Sequence, residues 1–286
     1  MLSLSGLAFT LALFTALTFT AYGLIARVLA RASADPLAFS VLYGVYGALF
    51  ALPILLFEPW QFGTITLDVL LITFAATVFY GIFQGFEFFA RKHLEASRMT
   101  VFFQLVPAFV FIGSILLLGE SFSIEKFAAI ALIIAGNIVA IHRHGGRLTR
   151  TGLSLALIAV TALALGYLAD KKVFEFYPIA LYIIITYLFP SIYLFLFMRV
   201  DVSRLHVELR AMSWRLPILG VVSTLGYYLL LKTFSLMDAS VAVPVVYTST
   251  ILTGLGGIII LKERSNIVQK LLGGILVLAG VILLSR

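Results

Sequence analysis

The sequence predicts an all-α integral membrane protein in which ten transmembrane helices form two inverted repeats of five helices. Three observations lead to this fold class: the composition, ten long apolar runs, and motifs that recur in both halves of the chain. Of the 286 residues, 62% are hydrophobic and 12% are charged, whereas an ordinary soluble domain is about 25% charged. With a mean hydropathy of +1.12, the chain has more apolar surface than a soluble fold can bury. Soluble and disordered classes are therefore excluded.

The ten apolar runs predict ten membrane-spanning helices. A helix needs about 20 residues to cross the hydrocarbon core of a bilayer, and every run is close to or above that length. A transmembrane β-barrel would instead show short segments of alternating polarity. The predicted spans are residues 4–26, 37–57, 69–90, 99–118, 124–142, 152–170, 178–198, 214–235, 239–261 and 266–285.

Residues at the ends of the runs agree with these boundaries. Pro36 and Pro178 begin the second and seventh spans, where the absent proline N–H removes no helical hydrogen bond. Serine and asparagine are good N-cap residues, and we expect caps before the fourth, fifth, eighth and tenth spans at Ser97, Ser123, Ser213 and Asn266. The charged segment 199–213 is predicted to form a short interfacial helix.

The two halves of the chain repeat the same motifs in the same order. An Ala-Ser pair is followed 24 residues later by a glutamate, first in 96–120 and again in 239–263. A lysine and an Ala-Gly pair follow each glutamate: Lys126 with Ala135-Gly136, and Lys270 with Ala279-Gly280. The repeat divides the chain into a first half, residues 1–142, a basic linker, 143–150, and a second half, 151–286.

Because five is an odd number, the two halves must enter the membrane upside down relative to each other. Inverted repeats of this kind have a pseudo-two-fold axis in the membrane plane, and many secondary transporters use them to build one site near the midplane. The sequence has no Walker A motif, which the P-loop ATPases require. It therefore predicts a carrier that works by alternating access and is driven by a substrate or ion gradient.

Each half resembles the five-helix unit of the EamA-type permeases of the drug/metabolite transporter superfamily. The resemblance rests on the Ala-Ser before the fourth helix, a proline within that helix (Pro107 and Pro244), the Leu-Gly-Glu turn at 118–120 and a glycine-rich fifth helix. The chain departs from the pattern with Leu-Lys-Glu at 261–263 and with no tryptophan in the first helix of either half. The resemblance covers nearly the whole chain and implies a ten-helix permease without specifying its substrate.

Polar side chains at membrane depth are costly and usually face the interior of a helix bundle. Tyr80, Gln84 and Glu87 share one face of the third span, and the repeat offset of 143 relates Gln84 to a tyrosine of the second half. Packing and anchoring are the alternative roles for the tyrosines and threonines. The predicted substrate pathway consists of Thr15, Tyr80, Gln84, Glu87, Gln104, Thr161, Tyr227, Tyr228, Lys232 and Tyr247.

The charged residues near span ends allow alternative roles. Glu87 can bind a cationic substrate or carry a coupling proton, or it can pair with Arg91 one turn further on. Lys232 can attract an anionic substrate or extend its ammonium group to the interface. Glu120 and Glu263 stand just before chain reversals, so we expect them to cap or hold loops rather than contact substrate.

No catalytic residue, cofactor or metal ligand is predicted. The chain has no cysteine, and its four histidines lack metal-ligand spacing. The alternative function is an intramembrane enzyme or lipid-modifying protein, which would need groups such as paired aspartates at membrane depth. We expect the candidates to lie at span ends instead: Asp68, Asp170, Asp201 and Asp238. A channel would need a continuous polar pore, which the spans lack.

Tyrosine, glutamine and threonine groups with at most one acid suit a small polar or zwitterionic metabolite, such as an amino acid or a related compound. The expected partners are this substrate, the lipid bilayer and a candidate coupling proton. The net charge of +7 belongs to loops beside anionic headgroups, so nucleic acid is not expected. We expect a monomer or a weak homodimer.

The distribution of positive charge predicts an orientation in the cell (inner) membrane. Loops after the odd-numbered spans, together with the first turns of the spans that follow them, carry 15 of the 20 lysines and arginines. Because positive loops tend to stay in the cytoplasm, the count places both termini outside. The resemblance to EamA-type permeases implies cytoplasmic termini instead.

Overall fold

The computed structural model describes residues 4–30, 33–94, 96–141, 149–259 and 267–284. The first half contains α1 (Leu4–Ala30), α2 (Pro36–Ala51), α3 (Leu67–His93), α4 (Ala96–Phe103), α5 (Leu105–Gly113) and α6 (Ile124–Ile141). The second half contains α7 (Arg150–Val173), α8 (Ile179–Phe197), α9 (Val202–Met212), α10 (Arg215–Phe234), α11 (Ala239–Tyr247), α12 (Ser249–Ile259) and α13 (Ile267–Leu284). Short helical turns at 52–56, 114–118 and 174–176 extend α2, α5 and α7.

Helices occupy all ten predicted spans, which confirms the all-α membrane fold class. In the described part of the chain, eight stretches are long and apolar enough to cross a membrane, and Val268–Leu284 is a shorter apolar helix. Two predicted spans are each divided between two helices: the fourth into α4 and α5, and the ninth into α11 and α12. The segment predicted as a short helix between the seventh and eighth spans is α9.

The start of α2 illustrates how the helix ends are satisfied. Pro36 is the first residue of the helix, and the Asp35 carboxylate accepts hydrogen bonds from the backbone N–H groups of Leu37 and Ala38, at 3.1 and 3.2 Å. These N–H groups have no partner within the helix. Asp35 is therefore the N-cap of α2.

The predicted serine caps had different outcomes. The Ser123 hydroxyl accepts a hydrogen bond from the Lys126 N–H at 3.1 Å, as expected of an N-cap of α6. The prediction for Ser213 was wrong: it ends α9 with a positive φ of 49°, and α10 begins after Trp214 without a side-chain cap. Because Ser213 reverses the chain between α9 and α10, its hydroxyl does not meet the first turn of α10. The side chains of Ser97 and Asn266 lie outside the described residues.

The fifth helices of the two halves, α6 and α13, pack against each other in opposite directions. Gly136 of α6 lies against Gly273 of α13, whereas Ala129, earlier on α6, lies against Gly280, later on α13. Residue numbers therefore rise along one helix as they fall along the other. Equivalent helices that pack antiparallel are what an inverted repeat requires.

The other main helix pairs also join the two halves. The second helices, α2 and α8, pack antiparallel, with Gly44 and Gly47 against Tyr187. The first helix of each half packs on the third helix of the other half: α1 packs on α10, and α7 packs on α3. Because helices of one half pack on helices of the other, a buried hydrophobic core forms along the interface between the halves. The sites described below lie on this interface.

Glycine is required where α6 and α13 approach most closely. A Cβ added at Gly136 would lie 2.6 Å from the carbonyl oxygen of Gly273. We expect Gly136→Ala to destabilise the protein by about 1–3 kcal/mol, because overpacking forces the helices apart. The measurement is the apparent melting temperature of the purified protein in detergent.

Gly254→Ala in α12 is the matched control, because nothing lies within 4 Å of a Cβ built at that position. Alanine is favoured over glycine in a helix interior by about 1 kcal/mol, so this variant should keep or raise the melting temperature. Equal melting temperatures for the two variants would contradict the close packing of α6 on α13.

Candidate functional site

A buried carboxylate lies at the interface between the halves. Asp170, near the end of α7, is fully buried. Its Oδ1 accepts a hydrogen bond from the Tyr182 hydroxyl at 2.7 Å, and its Oδ2 accepts one from the Tyr227 hydroxyl at 2.8 Å. The Tyr80 hydroxyl donates a third hydrogen bond to Oδ2. Four helices, α3, α7, α8 and α10, therefore converge on one carboxylate, and Tyr80 comes from the other half of the chain.

The expectation that Asp170 lies at the end of its span, away from membrane depth, was wrong. The helix α7 continues to Val173, and the Asp170 side chain is buried. Lys171 turns away from Asp170 and donates to the carbonyl oxygens of Phe234 and Met237, where α10 ends. The three phenols lie on other helices, so the sequence around Asp170 contains no signal for them. The high tyrosine content of the spans was the one available indication.

Tyrosines connect this carboxylate to the first two helices. The rings of Tyr227 and Tyr187 pack edge to face with their centroids 5.7 Å apart. The hydroxyls of Tyr187 and Tyr43 are 3.4 Å apart, and the ring of Tyr43 packs on Tyr22 of α1. We call Tyr22, Tyr43, Tyr187 and Tyr227 the tyrosine row. The interior between the halves is thus lined with phenols from both of them rather than with aliphatic side chains alone.

The fourth helix of each half is interrupted at an equivalent position. The first interruption is at Gln104, between α4 and α5, and the second is at Thr248, between α11 and α12. Each is a distortion of one residue, because both residues keep right-handed helical backbone angles and each span continues through it. The Gln104 amide donates to the Thr250 hydroxyl at 3.3 Å, so the two interruptions meet across the interface. Pro107, one turn after Gln104, has no N–H to bond the preceding turn, which favours the first interruption.

Several predicted pathway residues lie together near these features. Tyr80 and Tyr227 meet at Asp170, with ring centroids 6.3 Å apart. The Oε1 atom of Gln84 is buried and has no hydrogen-bond partner among the described residues. Glu87 is close enough to interact electrostatically with Tyr43 and with Tyr247. The side chain of Arg91 lies outside the described residues, so the predicted pair with Glu87 is not described.

Other predicted residues lie elsewhere. Thr161 begins a Thr-Ala-Leu triplet that matches the one beginning at Thr15 in the first helix of the other half. It is nevertheless on the exposed face of α7, in a shallow apolar groove, because a repeated motif does not fix the rotation of a helix. Thr15 is buried against α10, with its hydroxyl 3.2 Å from that of Thr233. The Lys232 ammonium group lies 5.5 Å from the ring centroid of Tyr228. Thr15, Tyr228 and Lys232 therefore contact their neighbours in other parts of the helix bundle than the Asp170 site.

Glutamates of one half cap helices of the other half. The Glu120 carboxylate accepts hydrogen bonds from the N–H groups of Ala239 and Ser240, at 2.7 and 3.0 Å, where α11 begins. This contact confirms the predicted capping role of Glu120; Glu263 lies outside the described residues. Glu58 likewise accepts from the N–H of Ala180 in the first turn of α8, at 3.0 Å. Both contacts lie on what we call the terminal face, which carries loops 57–66, 119–123, 174–178 and 235–238.

Further contacts join the halves on the terminal face. Lys126 and Asp238 form an ion pair at 2.9 Å, and the Gly63 N–H donates to the Phe176 carbonyl at 3.0 Å. Beside them lies a cleft of about 520 Å³ with charged walls. Its lining includes Glu120, Lys171, Lys172 and Asp238. Polar contacts therefore join the halves on the terminal face, beside buried aromatic side chains such as Phe174 and Phe234.

A matching cap lies on the opposite side, which we call the linker face. The buried Glu208 of α9 accepts hydrogen bonds from the N–H groups of Ala34 and Asp35, at 2.9 and 2.8 Å. Arg204 pairs with the Asp35 carboxylate and lowers its pKa below the ordinary value, with the helix N–H groups acting in the same direction. This stabilisation is present at neutral pH and is lost as the pH falls through the lowered pKa.

Comparison with known proteins agrees with this architecture. The profile of the EamA-like transporter family matches residues 6–141 and again residues 150–286. The chain belongs to the EamA-like transporter family. It is therefore an integral membrane protein and a transporter, in a family whose members are generally not enzymes.

One solved crystal structure superposes on this transporter with a TM-score of 0.78, covering 96% of this chain and 94% of the other at 14% sequence identity. At that identity the likeness shows the fold alone. No curated protein matches the chain significantly. In the described part of the transporter, no group of three or more histidine, aspartate or glutamate side chains could hold a metal ion.

The terminal-face cap can be tested directly, because the transporter has no cysteine. We expect Glu120→Gln to increase the labelling of a cysteine placed at the buried Ser240 by a membrane-impermeant maleimide. Loss of one charge-assisted hydrogen bond, about 1.5 kcal/mol, corresponds to about a tenfold higher open fraction. The measurement is the labelling rate of Ser240→Cys in proteoliposomes.

Glu125→Gln is the control, because Glu125 is an exposed residue in the first turn of α6. Equal labelling rates for Ser240→Cys with and without Glu120→Gln would show that the cap does not hold the terminal face closed. A similar increase with Glu125→Gln would lead to the same conclusion.

Proposed function

We propose that the protein is a secondary transporter that carries a small polar or zwitterionic metabolite, such as an amino acid or a related compound, by alternating access. The moving bodies would be residues 1–142 and 151–286, joined by the basic linker 143–150. Glutamate caps between the halves support this mechanism, since one face has Glu120 and Glu58 and the other has Glu208. Breaking the contacts of one face while the other stays closed would open a path to the interior from that side.

The observation that carries the proposal is the pair of interrupted helices at Gln104 and Thr248. Helix interruptions near the midplane are where many transporters with inverted repeats bind substrate. The side chains at and beside these positions, Gln104, Thr248 and Thr250, are neutral and both donate and accept hydrogen bonds. A zwitterion, which has no net charge, suits such a site better than a multiply charged anion does.

The side chains around the interruptions suit the same substrate class. Gln104 and Thr250 are both donors and acceptors, and Tyr247 ends α11 beside the second interruption. The buried Gln84 oxygen adds an acceptor without a partner among the described residues. These groups hydrogen-bond a small polar molecule without adding net charge, and the tyrosine row supplies an aromatic wall. We infer that the substrate binds between Gln84, Gln104 and Tyr247.

Since one chain contains both halves, a monomer or a weak homodimer suffices for this mechanism. We propose that the transporter lies in the cell membrane and is driven by a gradient, because the sequence has no ATP-binding motif. A coupling proton is the candidate driving ion.

The substrate site can be tested by counterflow in proteoliposomes, in which a carrier exchanges internal unlabelled substrate for external labelled substrate. We expect wild-type protein to show saturable counterflow with a ¹⁴C-labelled mixture of the proteinogenic amino acids. Gln104→Ala should reduce the rate by about 5- to 150-fold, because loss of a substrate hydrogen bond in a desolvated site costs about 1–3 kcal/mol.

Gln61→Ala is the matched control, since Gln61 is exposed in the loop after α2. Counterflow that is equal in Gln104→Ala and Gln61→Ala would remove Gln104 from the pathway. Uptake that does not saturate in wild-type protein would indicate a channel instead of a carrier.

We infer the orientation of the transporter in the membrane from the distribution of its lysines and arginines. Because 15 of the 20 lysines and arginines follow odd-numbered spans, we expect both termini on the outside. An epitope tag at the C-terminus should be digested by protease added to intact, right-side-out vesicles. A tag that is protected until the vesicles are opened would instead place the termini in the cytoplasm.

A further inference from the structure

The buried Asp170 carboxylate is not needed by the substrate pathway proposed above, and the structure gives it a separate role. We propose that Asp170 is the group that binds and releases the coupling proton of the transporter, with Tyr80 linking its protonation to the contact between the halves. This inference rests on the proposed secondary transport and identifies its driving ion and the residue that carries it.

The first argument is the charge balance around Asp170. The three partners that the structure shows for this carboxylate are neutral phenols, and the neighbouring Lys171 donates to backbone carbonyls instead. A carboxylate inside a membrane bundle is costly unless hydrogen bonds or a bound cation compensate for its charge. In the conformation described here, three hydroxyl donors provide that compensation. A conformation with fewer donors must replace them, and a proton is the smallest cation that can do so.

The groups that face Asp170 from each neighbouring helix do not compete for that proton. They are Tyr80 of α3, Tyr182 of α8 and Tyr227 of α10. On α7 itself, Tyr167 is close enough to interact electrostatically. Phenols ordinarily titrate near pH 10, far above the range in which a carboxyl group exchanges protons. Among these described neighbours, the carboxyl group is therefore the one that changes charge.

The second argument is that the donors belong to different halves. Tyr182 and Tyr227 are in the same half as Asp170, whereas Tyr80 is in the other half, on α3. A movement that separates α3 from α7 removes the Tyr80 donor from Oδ2 and leaves the other two in place. The ionised form loses a hydrogen bond in that step, whereas the protonated form loses less. By linkage, proton binding favours separation, and proton release favours the joined conformation.

The step itself involves one bond. A proton from the water on one side of the membrane forms an O–H bond with Oδ2, giving a neutral carboxylic acid. After the movement the same O–H bond breaks, and the proton leaves to the water on the other side while the phenols again donate to the carboxylate. No electron transfer and no other reactant is required.

The proposal is tested with the full-length protein in sodium-free proteoliposomes, using the ¹⁴C-labelled amino acid mixture. We expect an imposed pH gradient to drive accumulation in wild-type protein. Asp170→Asn should abolish this response and make the rate of counterflow independent of pH between about 5 and 8. Asp68→Asn is the matched control, because Asp68 is exposed in the first turn of α3, and it should retain the response of the wild type.

A second readout requires no substrate. Infrared difference spectra of wild-type protein between pH 5 and pH 8 should contain the C=O stretch of a protonated carboxyl group that Asp170→Asn lacks and Asp68→Asn keeps. Tyr80→Phe, which preserves the carboxyl group and the shape of the ring, should move the midpoint of that band to higher pH, because the ionised form loses a donor.

These readouts separate the two proposals. If wild-type protein shows no counterflow of the mixture, the proposed substrate class is wrong, and the infrared band still decides the role of Asp170. A band that persists in Asp170→Asn, or an unchanged midpoint in Tyr80→Phe, would overturn the proton site. Accumulation that requires sodium and ignores the pH gradient would overturn it as well.

Discussion

Inside a bilayer there is no water to bond the backbone or to solvate a charge, so each polar group must find its partner within the protein. This constraint explains most of the polar contacts of the transporter. The first N–H groups of a helix lack partners in their own helix, and here carboxylates from the opposite half supply them. Glu120 caps α11 and Glu58 caps α8, whereas Glu208 binds the backbone N–H groups of Ala34 and Asp35 just before α2 begins. Because the halves are antiparallel, a loop that ends a helix of one half lies beside the start of a helix of the other.

The same constraint makes these caps important for how the two halves separate during transport. Charge-assisted hydrogen bonds between the halves are specific in geometry. Once a face opens, water can take the place of either partner in such a bond. Water cannot replace the contacts of apolar helix packing in the same way. The terminal face is joined by Glu120, Glu58 and the Lys126–Asp238 pair, whereas α6 and α13 are joined by glycines in close contact. The polar contacts suit a surface that opens, and the close glycine contacts suit a surface that stays packed.

Asp170 meets this constraint through neutral hydrogen-bond donors. Its charge is compensated by hydroxyls alone, and one of the three comes from the opposite half. The tyrosine row extends from this carboxylate through α10, α8 and α2 to α1. A proton site and a substrate site on the same interface would respond to the same movement of the halves. Coupling between them then needs no further structural element.

The sequence by itself determined the class of membrane protein, the positions of the spans, the inverted repeat and the capping role of Glu120. These properties depend on hydropathy, on the number of spans and on spacing along the chain, all of which can be read from neighbouring residues. Local signals were also enough for the Ser123 cap. They were not enough for Ser213, because a reversal between α9 and α10 decided its conformation.

Only the tertiary structure decided which polar groups meet. Asp170 followed by two lysines looks like the exposed end of a span, and it becomes buried because Tyr80, Tyr182 and Tyr227 approach it from three other helices. Thr161 sits at a position that the repeat makes equivalent to an interior one, yet it faces outward, since the rotation of α7 is set by packing on α3. Hydrogen bonds between distant helices depend on rotation and relative height. A pattern along the chain contains neither.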